Sequence, residues 1–233
     1  IWAFIEGSEK PNEILVISAH YDHVGTKDNE VYNGADDDGS GTVALLEIAQ
    51  AFEIAKKEGH GPKRSILFLH VTGEEHGLHG SRFYSENPLF SIANTITDIN
   101  IDMIGRRDEA HAASNNYVYV IGANRLSTDL DNICTIANAK YTHLDLDYKY
   151  NDPKDPNRFY ERSDHYNFAK FNIPVIFFFN GVHDDYHQVT DTVDKIEFPL
   201  MSKRAHLIFH TAWDLANREQ RTPVDGTNTR TDR

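Results

Sequence analysis

Hydrophobic positions along the chain follow two patterns, one typical of buried strands and one typical of amphipathic helices. Short apolar runs predict six strands, over residues 2–6, 13–19, 65–71, 97–103, 117–122 and 173–179. Apolar residues at three-to-four spacing predict five helices, at about residues 40–58, 79–86, 125–139, 163–171 and 197–218. Because strands and helices alternate, the sequence predicts an α/β fold with a mixed, mostly parallel central sheet flanked by helices.

The length of the chain and its connecting segments predict a single domain. A chain of 233 residues can build one large core but is short for two. We expect a domain over residues 1–220, one long irregular loop over residues 144–162, and a polar, mobile tail over residues 221–233. Residue 1 is Ile and its segment already has a strand pattern, so we expect that an upstream segment, including any signal peptide, lies outside this chain.

The composition argues against two classes of partner. Asp and Glu number 36 and Lys and Arg 23, which gives a formal net charge of −13 that repels phosphate backbones. We therefore expect no nucleic-acid binding. No apolar run approaches the ~20 residues needed to span a bilayer, so we expect no membrane insertion. The single cysteine, Cys134, cannot form an internal disulfide and does not indicate a redox compartment, and nothing in the sequence indicates an oligomeric state.

Possible metal ligands lie in five short motifs, most of them at the carboxyl ends of predicted strands. The motifs are SAHYDHVG with His20, NGADDDGSG with Asp37, TGEEHGLHGS with Glu75, NIDMIG with Asp102 and DDYHQVTDT with His187. In open α/β sheets the carboxyl ends of the strands form the crevice where ligands bind. Three carboxylates and two imidazoles suit a pair of divalent cations about 3.5 to 4 Å apart. The sequence thus predicts a two-metal hydrolytic site at this edge.

The acidic residues beside these ligands suggest supporting roles. Asp22 follows His20 by two residues, so its carboxylate could orient the imidazole ring. Asp38 could instead cap the following helix, as could Ser40. Of two adjacent glutamates in TGEEHGLHGS, one can bind metal while the other accepts a proton, and the sequence alone leaves their order open.

The remaining polar residues of these motifs have competing interpretations. Tyr186 could donate a hydrogen bond to a tetrahedral oxyanion. His183 is an alternative imidazole in the same loop as His187. His23 has no assigned task, and a structural role is the expected one. His76 and His79 are expected at the surface.

Other metal and catalytic signatures are absent from the sequence. The EF-hand spacing fails because a glycine at loop position six would be Gly39, which puts Leu45 where a ligand glutamate is required. Neither HExxH nor HxxEH occurs, and there is no GxSxG, GxxxxGK[ST] or GxGxxG motif.

Taken together, the motifs resemble the family of co-catalytic zinc aminopeptidases that includes bacterial leucyl aminopeptidase and aminopeptidase Y. The resemblance extends from about residue 1 to residue 215 and also includes the segment SDHYNFAKFNIPV. That family has relatives among glutaminyl cyclases, glutamate carboxypeptidases and the transferrin receptor ectodomain. The usual leading helix and outer segments of the family are absent from this sequence.

The resemblance implies two Zn²⁺ ions per chain and a role for each residue. Asp37 would bridge both ions, His20 and Asp102 would complete one site, and Glu75 and His187 the other. It also implies that Glu74 is the general base, that Asp22 and Asp38 support the ligands, and that the bond from Asp37 to Asp38 is cis. A hydroxide bridging the metals would attack the peptide carbonyl, with Glu74 moving the proton.

The function expected from this resemblance is that of an aminopeptidase acting on peptides. Alternatives are a carboxypeptidase or dipeptidase that grips a carboxylate with Arg158, Arg162 or Arg106, a glutaminyl cyclase with one zinc, and a binding module without activity. We expect the substrate pocket to be walled by the loop from Tyr148 to Tyr160 and its neighbours, namely Tyr148, Tyr150, Phe159, Tyr160, Arg158 and Arg162. A secreted or periplasmic location is expected.

Overall fold

The computed structural model describes residues 1–226, which contain nine strands and six α-helices. The strands are β1 Trp2–Ile5, β2 Lys10–His20, β3 Gly25–Lys27, β4 Glu30–Tyr32, β5 Arg64–Val71, β6 Thr95–Ile101, β7 Tyr117–Ile121, β8 Asp145–Asp147 and β9 Val175–Phe179. The helices are α1 Gly39–Lys57, α2 His79–Glu86, α3 Ala123–Leu126, α4 Thr128–Ala137, α5 His165–Ala169 and α6 Phe198–Asn217. None of these helices is long and apolar enough to cross a membrane.

Seven strands form one mixed sheet in the order β1-β5-β2-β6-β9-β7-β8. Strands β5, β2, β6 and β9 are parallel neighbours, and β7 and β8 are parallel to each other. Strand β1 runs antiparallel to β5, and β7 runs antiparallel to β9. The predicted mixed, mostly parallel sheet is confirmed. Four neighbouring parallel strands therefore end at the same edge, where a site can assemble from distant parts of the sequence.

Both faces of the sheet are covered, because successive side chains of a strand point to opposite faces. In β2, Leu15 and Ile17 are buried against the layer formed by α1, α4 and α6, which includes Phe52. Ile14 and Val16 are buried on the other face, in the layer that contains α2 and α5. Consecutive apolar residues, as over positions 14–17 of β2, are the pattern expected for a central parallel strand.

The structure adds short strands where the sequence pattern is too brief to show a period. Strands β3 and β4 form an antiparallel hairpin before the acidic motif, and β8 pairs with β7 at the start of the predicted irregular loop. The helix predicted over residues 125–139 is divided, because Ser127 is extended and caps α4 by accepting a hydrogen bond from the backbone of Leu130.

The described part of the predicted mobile tail is bound to the domain. Arg221 donates hydrogen bonds to the carbonyl oxygens of Ala93 and Thr95, at 3.1 and 2.8 Å. Asp225 accepts a hydrogen bond from the backbone of Thr128 at 2.9 Å. Residues 221–226 therefore contact the domain, the expected mobility of the tail stays a prediction, and residues 227–233 lie outside the described residues.

Candidate metal centre

All five predicted ligands converge at the shared edge of the parallel strands. His20 is the last residue of β2, and Asp102 directly follows β6. Glu75 lies in the loop after β5, and His187 in the loop after β9. Asp37 lies between the β4 strand and helix α1. Because β5, β2, β6 and β9 are neighbours, residues that are distant in sequence come within a few ångströms of one another.

Asp37 lies between two ligand pairs. On one side its Oδ1 is 3.3 Å from His20 Nε2, which is 3.6 Å from Asp102 Oδ1. On the other side its Oδ2 is 3.0 Å from His187 Nε2, which is 2.9 Å from Glu75 Oε2. Donor atoms bound at 2.0–2.1 Å to a tetrahedral zinc lie roughly 3.3 Å apart, so both groups have the spacing of metal ligands.

Several donor atoms of this cluster are buried without a hydrogen bond. Within residues 1–226, His20 Nε2, Asp37 Oδ2, Glu75 Oε1 and His187 Nε2 have no partner of acceptable geometry, although they lie close to one another. Buried polar atoms are normally paired, because leaving them unpaired is costly. A cation would satisfy these atoms, and imidazole with carboxylate is a donor set that zinc accepts. The residues present therefore fit two zinc ions.

The electrostatics of the cluster point the same way. The carboxylates of Asp37 and Glu75 raise the pKa of His187 to about 10. Burial lowers the pKa of His20, but Asp102 and the other carboxylates outweigh it and raise that pKa well above its usual value. Burial would likewise raise the pKa of Asp37, yet the two imidazoles hold it far below its usual range. This field attracts positive charge to the space between the five residues.

Asp38 joins the elements that carry the ligands. Its carboxylate accepts hydrogen bonds from the backbone of Gly41 at 3.0 Å, of Met103 at 3.0 Å and of His20 at 3.1 Å. It therefore caps α1 and fixes the ends of β2 and β6. The peptide bond between Asp37 and Asp38 is cis, as the resemblance implies.

Asp22 contacts the centre through both its carbonyl oxygen and its carboxylate. His20 Nδ1 is 3.0 Å from the carbonyl oxygen of Asp22 and 3.6 Å from its carboxylate. The carboxylate accepts hydrogen bonds from the backbone of Glu74 at 3.2 Å and of Glu75 at 3.4 Å. The carboxylate thus lies within ion-pair distance of the His20 ring and also fixes the backbone of the loop that carries Glu74 and Glu75.

The loop after β9 contributes a positioning residue that the sequence did not reveal. Asp191 accepts hydrogen bonds from the backbone of Asp36 at 3.0 Å and of Asp37 at 3.2 Å. His183, the alternative to His187, lies 3.0 Å from the buried carboxylate of Asp36 through its Nε2. His183 thus supports the acidic motif from behind, while His187 lies among the ligands.

Ser163 also escaped prediction. Its Oγ donates a 2.6 Å hydrogen bond to Asp102 Oδ2 and accepts one of 2.8 Å from Asn100. Asp102 Oδ1 remains directed at His20. A serine in a polar loop carries no signal of this role, because the contact depends on how α5 packs against β6.

A cavity beside the cluster contains the predicted general base. It is lined by Asp37, Glu74, Asp102, Met103, Phe159, Arg162, Ser163, Phe177, Phe179, Val182 and Tyr186. Burial, and after it the negative charge of Asp102, raises the pKa of Glu74 to about 10. Burial also raises the pKa of Tyr186, whose ring stacks on His187 at 3.9 Å between centroids. The lining thus combines acidic groups with aromatic and aliphatic ones.

Only Phe159 and Arg162 of the six expected pocket residues line this cavity. Tyr148 packs against the core layer of α1, α4 and α6. Tyr150 lies behind Phe159, with the ring centroids 4.7 Å apart. Tyr160 is buried beneath the Arg125 guanidinium at 3.8 Å. Arg158 pairs with Glu161 at 2.9 Å and, with Tyr160, lines a separate cavity. The loop folds its aromatic residues inward, which the sequence pattern did not indicate.

Comparison with known proteins agrees with this geometry. The chain is 36% identical over 105 residues to a "Probable zinc metalloprotease" of Pyrenophora teres f. teres. The matched segment covers 42% of this chain and 20% of that protein. The fold of this chain is similar to that of an aminopeptidase from Aneurinibacillus sp. strain AM-1, with a TM-score of 0.73 and 22% identity. The similarity covers 98% of this chain and 51% of that one.

A glutaminyl cyclase from Porphyromonas gingivalis has the same fold, with a TM-score of 0.65, 18% identity, and coverage of 91% of this chain and 75% of that one. The chain thus spans about half the length of the aminopeptidase and a fifth of the curated relative. The model of Peptidase family M28 matches residues 1–212, nearly the whole chain. This protein therefore belongs to Peptidase family M28.

Proposed function

We propose that this chain is the catalytic domain of an exopeptidase that holds two zinc ions and removes amino-terminal residues from peptides. One observation carries the proposal: three carboxylates and two imidazoles converge with buried donor atoms unpartnered, beside a glutamate that lines a cavity. His20 and Asp102 would hold one ion, Glu75 and His187 the other, and Asp37 both. When bound, the zinc ions would polarise the peptide carbonyl and lower the pKa of the attacking water.

Glu74 is the residue placed to move a proton. It lies beside Asp37 and Asp102 in the cavity, and the carboxylate of Asp22 holds its backbone. Burial and the neighbouring carboxylate of Asp102 raise its pKa. Two bound zinc ions would act against that shift and leave Glu74 ionised, ready to accept a proton. Glu74 would accept a proton from the attacking water and return it to the amine that leaves.

Tyr186 is placed to stabilise the oxygen of the carbonyl under attack. Burial raises the pKa of its phenol, so the phenol keeps the proton that it would donate. Stacking on His187 holds the ring beside the metal ligands. A hydrogen bond donated to a developing oxyanion stabilises the transition state more than the ground state.

The cavity favours a free amine and an apolar side chain. The α-amine of a substrate would donate hydrogen bonds to the acidic groups of the cavity, Asp37, Glu74 and Asp102. The lining also includes the apolar residues Phe177, Phe179 and Val182, which would favour contact with an apolar side chain of the substrate.

Arg162 favours a second candidate, a carboxypeptidase or dipeptidase of the same family. Its guanidinium donates a 3.3 Å hydrogen bond to the Tyr186 hydroxyl and lines the cavity, where it could bind a substrate carboxylate. Arg106 is less suited, because it pairs with Asp185 at 3.0 Å. A glutaminyl cyclase with one zinc is disfavoured by the complete set of five ligands.

A pair of blocked peptides tests the direction of attack. Peptides with a free amine and an amidated carboxyl end should be cleaved, whereas N-acetylated peptides with a free carboxylate should be poor substrates. Glu74→Gln protein, assayed in parallel, shows whether the cleavage arises at this site. Cleavage of the acetylated peptides alone would overturn the aminopeptidase proposal and favour the carboxypeptidase with Arg162.

A further inference from the structure

His23 lies in the centre, although the sequence indicates no role for it. It follows β2 by three residues, and its side chain is only 10% exposed. Both ring nitrogens are buried, and within residues 1–226 neither has a hydrogen-bond partner of acceptable geometry. An imidazole that is buried for structural reasons normally has at least one partner, since the unpaired nitrogens cost free energy.

The ring of His23 faces the same two carboxylates as His187. His23 Nδ1 is 2.9 Å from Glu75 Oε1 and 3.8 Å from Asp37 Oδ2. His187 Nε2 lies 2.9 Å from the other oxygen of Glu75 and 3.0 Å from the same oxygen of Asp37. The two imidazoles stand edge to face with their centroids 5.7 Å apart.

The turn before helix α1 is shaped around this ring. Gly34 has a φ of +63°, and a Cβ on it would lie 2.5 Å from Cγ of His23. A side chain at position 34 would therefore displace the imidazole from the carboxylates. The same turn leads to Asp37, so the backbone that presents the bridging carboxylate also leaves room for His23.

We propose that His23 is a fourth protein ligand for the cation on the Glu75 and His187 side. Within residues 1–226, one possible ligand group contains His23, Asp37 and Glu75, and the other contains His20, Asp37 and Asp102. His187 lies outside the first group but contacts the same two carboxylates through Nε2. This inference rests on the two-zinc centre proposed above. A site with four protein ligands is closed, whereas one with three keeps an open position. The two ions would therefore differ in affinity, and the ion on the His20 side would leave first.

Zinc titration of the full chain tests this difference. The metal-free protein, its His23→Ala and His23→Gln variants, and a His60→Ala control would be titrated with zinc against a competing chelator. His60 is exposed at the end of α1, so its loss should change neither affinity. We expect His23→Ala and His23→Gln to weaken one of the two zinc ions by at least about tenfold and to leave the other unchanged. Unchanged affinity for both ions would overturn the proposal.

A zinc-loaded crystal structure of the unaltered chain separates binding from mere positioning of Glu75 and does not depend on the folding of a variant. A His23 Nδ1 to zinc distance of about 2.0–2.1 Å is expected. A ring that lies more than about 3 Å from the ion would overturn the proposal. Unaltered protein that binds fewer than two zinc ions would instead contradict the two-zinc centre itself.

Discussion

The metal centre and the surroundings of Arg64 both bury charged groups but satisfy them differently. Arg64 is fully buried at the start of β5. Its Nε bonds to Glu13, and its two terminal nitrogens donate to the carbonyl oxygens of Leu215, Arg218 and Glu219. In the metal centre, by contrast, ring nitrogens and carboxylate oxygens remain without hydrogen bonds.

The contrast is between a buried charge that the protein itself pairs and buried groups that need a bound cation. At Arg64 the chain provides every acceptor, so the group joins the end of α6 to the sheet without help. At the metal centre, several ring nitrogens and carboxylate oxygens lie close together, and the described residues 1–226 provide no hydrogen-bond partner for them. Unpaired buried atoms are therefore a stronger indication of a ligand site than burial of charge is.

Of the changes considered, removal of zinc should have the largest effect on the stability of the fold. That effect should arise at the metal centre alone. Each ion present at about 1,000 times its dissociation constant stabilises the fold by about 4 kcal/mol. We expect a chelator to lower the melting temperature strongly, and added zinc to restore it. Calorimetry with and without chelator measures this. If the melting temperature were unchanged after zinc had been removed, the unpaired atoms would not require a cation.

Glu74→Gln should separate proton transfer from metal binding within the centre. The amide keeps the shape of the side chain but cannot accept the proton, so turnover should fall about 10²-fold or more while zinc content is unchanged. Steady-state kinetics and elemental analysis of the same sample measure both quantities. Glu75→Gln is the matched control, since it should weaken zinc binding instead. Near-normal turnover with full zinc would mean that Glu74 is not the base.

Arg64→Met should give the opposite result to changes at the centre. The methionine fills part of the volume but leaves several buried carbonyl oxygens without donors, so we expect a loss of about 2 to 4 kcal/mol in the free energy of unfolding. Zinc affinity should not change. Urea unfolding and zinc titration measure the two effects. A variant with normal stability and weakened zinc binding would reverse the comparison.

Asp98 is a third case, in which a proton can take the place of a partner. It is buried in β6, where burial raises its pKa well above the usual value although Ser18 donates a hydrogen bond of 2.8 Å to it. The folded state therefore binds a proton that the unfolded state has released above about pH 4, and stability falls as pH rises.

Asp98→Asn removes that titration. Relative to the unaltered protein, its free energy of unfolding should improve as pH rises from about 4, by at most about 1.4 kcal/mol per pH unit. Urea unfolding at several pH values, with chelator present throughout, measures the difference. A difference that does not vary with pH would show that Asp98 is ionised in the folded protein.

The sequence predicted the elements that form the site better than the contacts within it. The apolar runs of β2, β5 and β6 are long enough to show their pattern, and the motifs at their ends identified the carboxylates and imidazoles that meet there. The sequence could not show that the Asp22 carboxylate also accepts hydrogen bonds from the backbone of the next loop, because that contact depends on where β2 ends. Nor could it show that the Tyr150 and Tyr160 rings fold inward, because packing decides the direction of loop side chains.

Metal content tests the central claim most directly. Protein loaded with zinc, freed of excess metal by gel filtration and measured by elemental analysis should contain two zinc ions per chain. Asp37→Ala should lose both ions, since its carboxylate lies between the two ligand pairs, whereas His20→Ala should lose mainly one. One zinc ion or none in the unaltered chain, or two retained by Asp37→Ala, would contradict the account.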